Sequence, residues 1–83
     1  MDNIKERLVN IICQYVDVLP TEIDVDMNIR FDIGLDSYSL ISLVCDIENE
    51  FGISIPDIML LKFTTLSDIV NFIYSEISKP IAV

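Results

Sequence analysis

The chain has 83 residues, a formal net charge of −9 at pH 7 and a mean hydropathy of +0.52. This length is enough for one small domain over residues 1–83 and leaves no room for a second core. Nucleic acids and anionic membrane surfaces are themselves negatively charged, so we expect neither as a partner. Basic protein surfaces fit such a charge better.

The first residues lack the basic segment and apolar run of a secretory signal, and no apolar run reaches the roughly 18 residues of a membrane span. Cys13 and Cys45 fit no zinc or CxxC spacing. Two free thiols are typical of a reducing compartment. We therefore expect a cytoplasmic, monomeric protein without a disulfide.

A first helix over residues 3–16 is predicted from the helical spacing of Ile4, Leu8, Ile11, Ile12 and Tyr15, with Tyr15 expected at the edge of the core. Pro20 marks its end and opens a long acidic loop over residues 19–36. In this loop apolar residues alternate with polar ones: Ile23, Val25, Ile29, Phe31, Ile33 and Leu35. Alternation is typical of a strand, but no second alternating run is available to pair with it. We expect an ordered loop that pins these side chains onto a helical core.

Three further helices are predicted after the loop. The second, over residues 37–51, is expected to bury Leu40, Leu43, Val44, Ile47 and Phe51 and to stop at Gly52. Pro56 suits the first turn of a short third helix over residues 56–61. A capping pattern from Thr65 to Asp68 begins a fourth helix over residues 65–78, which is expected to bury Leu66, Ile69, Val70, Ile73 and Ile77. The expected fold is all-α, a small four-helix bundle with a long first loop.

Independent catalysis is unfavourable because the chain has no histidine. A Ser-His-Asp site is therefore impossible, and we expect no catalytic residue. Asp24, Asp26 and Asn28 resemble the start of an EF-hand loop, but its required glycine is replaced by Ile29 and its bidentate glutamate by Leu35. We reject a specific metal site and favour a solvated acidic loop, with weak surface binding of divalent cations left open.

The stretch Gly34-Leu35-Asp36-Ser37 stands where the second helix begins. Asp36 as N-cap, with Ser37 as an ordinary first-turn residue, would explain both residue types without any function. The first turn of a helix is also where an added phosphate is well tolerated, because unpaired N–H groups and the helix dipole favour an anion. Gly34 gives the backbone freedom beside the serine.

This stretch resembles the phosphopantetheine-attachment motif of acyl carrier proteins and of the related peptidyl carrier domains. Residues 46–57 (DIENEFGISIPD) resemble the end of that family's second helix, the following loop and the start of its third helix. Residues 62–66 (KFTTL) resemble the segment that leads into its fourth helix. The blocks stand at the family's spacing without gaps, so the resemblance covers residues 19–77. The first helix agrees only in length and pattern.

The resemblance implies that a phosphopantetheinyl transferase attaches 4′-phosphopantetheine from coenzyme A to Ser37. The thiol of that arm would carry an acyl group as a thioester to partner enzymes, and the chain itself would catalyse nothing. Asp36 would cap the helix and help to orient the transferase or its metal, and Leu35 would be a contact residue beside Gly34. An aminoacyl cargo, as in a peptidyl carrier, is the alternative, and the starting methionine and short tail favour a discrete protein.

The partner surface is expected on the second helix, opposite its buried stripe, at Tyr38, Ser42, Cys45 and Asn49, with Asp46, Glu48 and Glu50 beside it. The centre of this face is nearly uncharged, and the third helix is apolar. Met59 or Leu60 could be an apolar docking contact, or most of the run at residues 58–61 could line the core. These departures favour a specialised pathway, with partner enzymes that present basic or mixed apolar surfaces. An acidic adaptor with Ser37 unmodified remains the non-carrier alternative.

Overall fold

The computed structural model describes residues 4–78. Its helices are α1 (Ile4–Ile12), a short 3-10 helix (Pro20–Glu22), α2 (Ser37–Phe51), α3 (Ile58–Lys62) and α4 (Leu66–Ser78). The predicted all-α fold with a short third helix is confirmed. Over the described residues the long loop makes one isolated antiparallel bridge, between Asn28 and Thr65, and no strand.

Helix α1 packs against both α2 and α4. The apolar faces of these helices meet in a core whose largest fully buried helical side chains are Leu8, Ile12, Leu43, Ile47, Leu66, Ile69 and Ile73. Burial of these side chains supplies most of the driving force for folding in a domain of this size. Phe51 and Val70, predicted to be buried, lie only partly inside, and Ile77 is 47% exposed. Tyr15 is half-buried, as expected for a residue at the edge of the core.

Helix α1 ends at Ile12, before its predicted end at residue 16, and the predicted start at Asn3 lies outside the described residues. The chain continues as tight turns, in which Gln14 and Tyr15 donate N–H bonds to the carbonyls of Ile11 and Ile12. Bonds to the third residue back, instead of the fourth, wind the backbone more tightly than an α-helix. The turn aims Tyr15 at α2.

Two polar contacts join α1 and its following turn to α2. The Tyr15 hydroxyl donates to the Asp46 carboxylate, and this bond raises the pKa of Tyr15 to about 12. Arg7 donates to the Glu50 carboxylate and to the Glu50 backbone carbonyl, both at 2.9 Å. Its guanidinium also lies 4.4 Å from the centroid of the Phe51 ring. Arg7 thereby satisfies an exposed carbonyl in the last turn of α2.

The long loop is pinned to the core by alternate side chains, as the sequence predicts. Ile23, Ile29, Ile33 and Leu35 are buried, whereas Phe31 breaks the pattern and is 86% exposed. Two backbone bonds fix the loop: the N–H of Ile29 donates to the Thr64 carbonyl at 2.9 Å, and the N–H of Leu35 donates to the Ile29 carbonyl at 3.1 Å. The loop therefore lies against the segment before α4.

Helix α2 begins at Ser37 because Asp36 caps it. The Asp36 carboxylate accepts from the N–H of Ser39 at 2.7 Å, and the backbone of Asp36 is extended. This backbone bond, together with the Ser39 hydroxyl, lowers the pKa of Asp36 below its ordinary value. The helix ends at Gly52, whose φ of 67° is left-handed and whose N–H donates to the Glu48 carbonyl.

Helices α3 and α4 begin slightly later than predicted. Helix α3 starts at Ile58, so Pro56 lies before it and not in its first turn. The Pro56 carbonyl accepts from the N–H of Met59. Helix α4 starts at Leu66, where the Asp68 carboxylate accepts from the N–H groups of Thr65 and Thr64. These bonds lower the pKa of Asp68. The predicted capping pattern thus acts through Asp68 reaching back to the residues before the helix.

Two neighbouring substitutions test how the loop is pinned. Ile29→Ala removes a side chain that is 1% exposed and should lower the free energy of unfolding by about 2–5 kcal/mol. Phe31→Ala removes an exposed ring and should change it by less than about 0.5 kcal/mol. Urea unfolding followed by circular dichroism measures both. Equal losses for the two variants would contradict the burial pattern.

The Asp36 cap predicts a pH-dependent stability. Because folding lowers the pKa of this carboxyl, its stabilisation is present above the unfolded pKa of about 3.9 and is lost as the pH falls through the folded pKa. Asp36→Ala should lower the urea midpoint at neutral pH. Asp36→Asn keeps a capping oxygen without a charge, so the stability difference between wild type and Asp36→Asn should shrink on acidification. A difference that stays constant down to about pH 3, below the unfolded pKa, would contradict this account.

Candidate functional site

Ser37 is the first residue of α2 and is exposed to solvent. Its two flanking segments hold it in place, because Leu35 is 1% exposed on one side and Leu40 is 2% exposed on the other. The backbone between core and serine turns at Gly34, whose φ is 94°. A Cβ at Gly34 would meet no atom within 4 Å, so the glycine is needed for its backbone angle and the surroundings of the turn stay open.

The electrostatics around the Ser37 hydroxyl favour an anion on the helix side. Helix α2 has 15 residues, and the first N–H groups of such a helix carry a partial positive charge. Asp36 already uses the N–H of Ser39 and is held ionised by it. The site therefore offers an accessible alcohol beside both a helix N-terminus and one fixed carboxylate.

Ser37 lies exposed at the surface of the bundle. Two open surface grooves, of about 290 and 310 Å³, are lined by other residues: Ile11, Gln14, Asp46, Asn49 and Glu50 in the first, and Met59, Lys62, Phe63, Asp68, Asn71 and Phe72 in the second. Among residues 4–78, no cluster of three or more Cys, Asp or Glu side chains is arranged to hold a metal ion. Over the same residues, no helix combines the length and apolarity needed to cross a membrane.

The predicted partner face of α2 is only partly a free surface. Tyr38, Cys45 and Asn49 are exposed, and Ser42 is half-buried. Ile41, which the sequence analysis did not single out, is 53% exposed beside Tyr38. Ile41 stands three residues after Tyr38, and this spacing places both side chains on the same side of the helix. The face is therefore more apolar than predicted.

The carboxylates of α2 are all engaged within the chain. Asp46 accepts from the Tyr15 hydroxyl, and Glu48 accepts from the N–H of Ile55 at 2.7 Å. Glu50 pairs with Arg7 at 2.9 Å. Asp46 and Glu48, predicted as partner contacts, are half-buried and hold neighbouring segments in place. Tyr15 is 31 residues from Asp46, and Ile55 lies beyond the end of α2, so the helical pattern alone does not reveal these bonds.

Helix α3 buries and exposes different parts of its apolar run. Met59 and Leu60 are half-buried and pack against the core. Their neighbours Ile58 and Leu61 are 58% and 80% exposed. The rotational setting of a five-residue helix follows from how its ends are tied to the fold, which the sequence alone does not specify. Of the two alternatives left open, Met59 and Leu60 thus fit the one in which they cover the core.

Comparison with known proteins identifies the family. Residues 6–73 match the family model described as "Phosphopantetheine attachment site". An acyl carrier protein of Rickettsia bellii (strain OSU 85-389) is 36% identical over 73 residues, which cover 88% of this chain and 90% of that protein. An acyl carrier protein of Rickettsia bellii (strain RML369-C) is 34% identical over 73 residues, 88% of this chain and 85% of that protein.

A solved structure shares the fold. The apo doublet acyl carrier protein from prodigiosin biosynthesis superposes with a TM-score of 0.74 over 98% of this chain, at 17% sequence identity. The chain spans 40% of the length of that protein.

The family match spans most of the chain, and both Rickettsia relatives exceed 30% identity over nearly their whole length. Family members attach 4′-phosphopantetheine covalently and carry acyl groups on it without catalysing a reaction themselves. The chain therefore belongs to the phosphopantetheine-attachment family and is a carrier, not an enzyme.

Proposed function

We propose that Ser37 is the residue that carries 4′-phosphopantetheine, through a phosphodiester to its hydroxyl. The observation that carries this proposal is the exposure of Ser37 at the first position of a capped 15-residue helix. The hydroxyl is accessible to a transferase, and the helix N-terminus stabilises the added negative charge. Leu35, buried in the core, keeps the attachment point fixed relative to the bundle.

The residues around Ser37 fit a group of this size and charge. Gly34 leaves open space within 4 Å of its backbone, and the first side chain after Ser37, Tyr38, points outward with 79% of its surface exposed. Asp36 is turned into the helix by its bond to Ser39 and leaves the hydroxyl uncovered. Its ionised carboxylate stands next to the hydroxyl in sequence, where it can contact the metal of an incoming transferase.

The arm and the bundle have different roles in this proposal. When bound, the arm supplies a thiol that holds an acyl group as a thioester. The bundle contributes a rigid base, because Leu35 and Leu40 anchor the backbone on both sides of the serine. A tether of fixed origin raises the local concentration of the cargo at any enzyme that docks beside it.

The cargo we propose is an acyl group used in fatty-acid-like, polyketide or other specialised biosynthesis. Both Rickettsia relatives are acyl carrier proteins, which supports an acyl cargo over the aminoacyl cargo of a peptidyl carrier. The partners are then a phosphopantetheinyl transferase and acyl-loading and acyl-transfer enzymes, which we expect in the cytoplasm. We expect them to dock near α2 at Tyr38, Cys45 and Asn49, the predicted contacts that are exposed.

Modification of Ser37 is tested by intact mass. The purified chain, incubated with coenzyme A, magnesium and a promiscuous phosphopantetheinyl transferase, should gain the mass of one phosphopantetheine group. Ser37→Ala should gain nothing, because it lacks the accepting oxygen. Ser42→Ala, a matched loss of a hydroxyl on the same helix, should be modified like wild type.

Either of two results would contradict this proposal. One is an unmodified wild type under conditions that modify a control carrier protein, which would favour the unmodified adaptor. The other is a Ser37→Ala variant that still gains the group.

A further inference from the structure

Two backbone bonds join the segment before Ser37 to the segment before α4. The N–H of Leu35, two residues before Ser37, donates to the Ile29 carbonyl at 3.1 Å. The N–H of Ile29 in turn donates to the Thr64 carbonyl at 2.9 Å. Ile29 therefore ties the backbone that leads into Ser37 to a second part of the bundle, in addition to α2 itself.

The long loop is also fixed at the start of α4. The Met27 carbonyl accepts from the N–H of Leu66 at 3.1 Å, and the Val25 carbonyl accepts from the N–H of Ser67 at 2.8 Å. The first N–H groups of a helix have no partner within that helix, and these loop carbonyls supply one. The loop is therefore anchored to α4 just before it reaches Ile29.

Asn28 forms the corner between this anchor and Ile29. Its side-chain oxygen accepts from the N–H groups of Arg30 and Phe31, both at 2.9 Å. Its own N–H donates to the Asp32 carboxylate at 2.8 Å. An asparagine oxygen that accepts from backbone N–H groups two and three residues further on holds a tight turn. The Asn28 side chain therefore fixes the backbone on both sides of the Ile29 carbonyl.

One peptide unit links the Asn28 side chain to Leu35. The Ile29 carbonyl and the Arg30 N–H belong to the same peptide unit, and a peptide unit is planar. Asn28 holds this unit at its N–H, and the unit holds Leu35 through its carbonyl. Hydrogen bonds that share a peptide unit also strengthen one another. Loss of the Asn28 oxygen would therefore release the plane that aims the carbonyl at the N–H of Leu35.

We infer that Asn28 is a positioning residue for the attachment at Ser37, because its side chain fixes the peptide unit that holds Leu35. This inference rests on the proposed attachment at Ser37. Asn28 acts through the backbone and is not itself a reacting group. The competing account is that the Asp36 cap and α2 position the Ser37 hydroxyl without help from the loop.

The attachment step shows why position matters. The Ser37 oxygen forms a bond to the phosphorus of the pantetheine phosphate of coenzyme A. The bond from that phosphorus to the adenosine 3′,5′-bisphosphate leaving group breaks, and the hydroxyl proton passes to a base of the transferase. Because the rate depends on the alignment of these atoms, a displaced hydroxyl slows the transfer more than it weakens the binding of the carrier to the transferase.

The first test needs no transferase. Hydrogen exchange of single amides, followed by NMR, should show the Leu35 N–H exchanging about tenfold faster in Asn28→Ala than in wild type, because its local opening becomes easier. The Leu8 amide in α1 should be affected much less. Asn28→Asp keeps an accepting oxygen at this position and should restore the protection of Leu35. Equal acceleration at Leu35 and Leu8 in Asn28→Ala, or none at Leu35, overturns the inference.

The second test measures attachment by a purified phosphopantetheinyl transferase with saturating coenzyme A, followed by intact mass. Asn28→Ala should lower kcat about tenfold and change KM by less than about threefold. Asn28→Asp should recover kcat to within about twofold of wild type. Asn28→Ser, whose shorter hydroxyl holds such a turn more weakly, should fall between them. If circular dichroism shows that Asn28→Ala does not fold, Asn28→Ser carries both tests.

Two controls separate positioning from other effects of substitution. Val9→Ala truncates a side chain of α1 that is 5% exposed, so it should lower the urea midpoint and leave kcat near that of wild type. Asn71→Ala removes the same type of side chain as Asn28→Ala from an exposed position on α4. It should leave kcat and the exchange of Leu35 unchanged.

The outcomes separate this inference from the proposal beneath it. A wild type that gains no group at Ser37 contradicts the proposed function. A modified wild type, with Asn28→Ala modified at the same kcat, contradicts the inference alone and favours positioning by the Asp36 cap and α2. A loss confined to KM would assign the Asn28 turn to transferase docking and overturn the inference. An equal fall of kcat in Val9→Ala, or no recovery in Asn28→Asp, overturns it as well.

Discussion

The bond from the N–H of Ser39 to the Asp36 carboxylate fixes where α2 begins, and the proposed attachment at Ser37 depends on that position. With the cap at Asp36, Ser37 becomes the first helical residue and its hydroxyl stays in solvent. A start one turn later would leave Ser37 in the loop, away from the helix N–H groups that favour an attached anion. Buried Leu35 and left-handed Gly34 deliver the backbone to that cap.

Several carboxylates of this acidic chain stabilise its fold. Those of α2 hold Tyr15, the N–H of Ile55 and Arg7, and those near the loop ends cap α2 and α4. Carboxylates that are hydrogen-bonded or ion-paired within the chain are less available for direct contacts with a partner than the net charge implies.

Local signals predicted much of the fold. The bounds of α2 agree with the structure because an N-cap and a left-handed glycine act within one turn of the helix. The pinned loop was predictable from alternation, although Phe31 fits the same alternation and is exposed. Its outward position depends on the turn at Asn28, whose side-chain oxygen accepts from the N–H of Phe31. The alternation of apolar residues does not predict this bond.

Where the structure departs from the predictions, contacts outside the helical pattern are the cause. Tyr15 carries the helical spacing of α1, yet its hydroxyl bonds to Asp46 across the bundle and the helix ends at Ile12. Glu48 looks like a free surface acid in sequence, but it holds the N–H of Ile55. Met59 and Leu60 pack against the core, which is one of the two alternatives that the sequence left open. The exposure of Ser37 at the start of a capped helix was predictable from neighbouring residues alone, and the attachment at Ser37 stays a prediction.

The most direct measurement of the central claim is the position of the arm in the loaded wild-type chain. Tandem mass spectrometry of the peptide that contains Ser37, Ser39 and Ser42 assigns the phosphopantetheine group to a single oxygen. Because Ser37 is exposed at the helix start while Ser39 and Ser42 are half-buried, the account predicts fragments that carry the group on Ser37 alone. Fragments that place it on Ser39 or Ser42, or outside this peptide, would contradict the account.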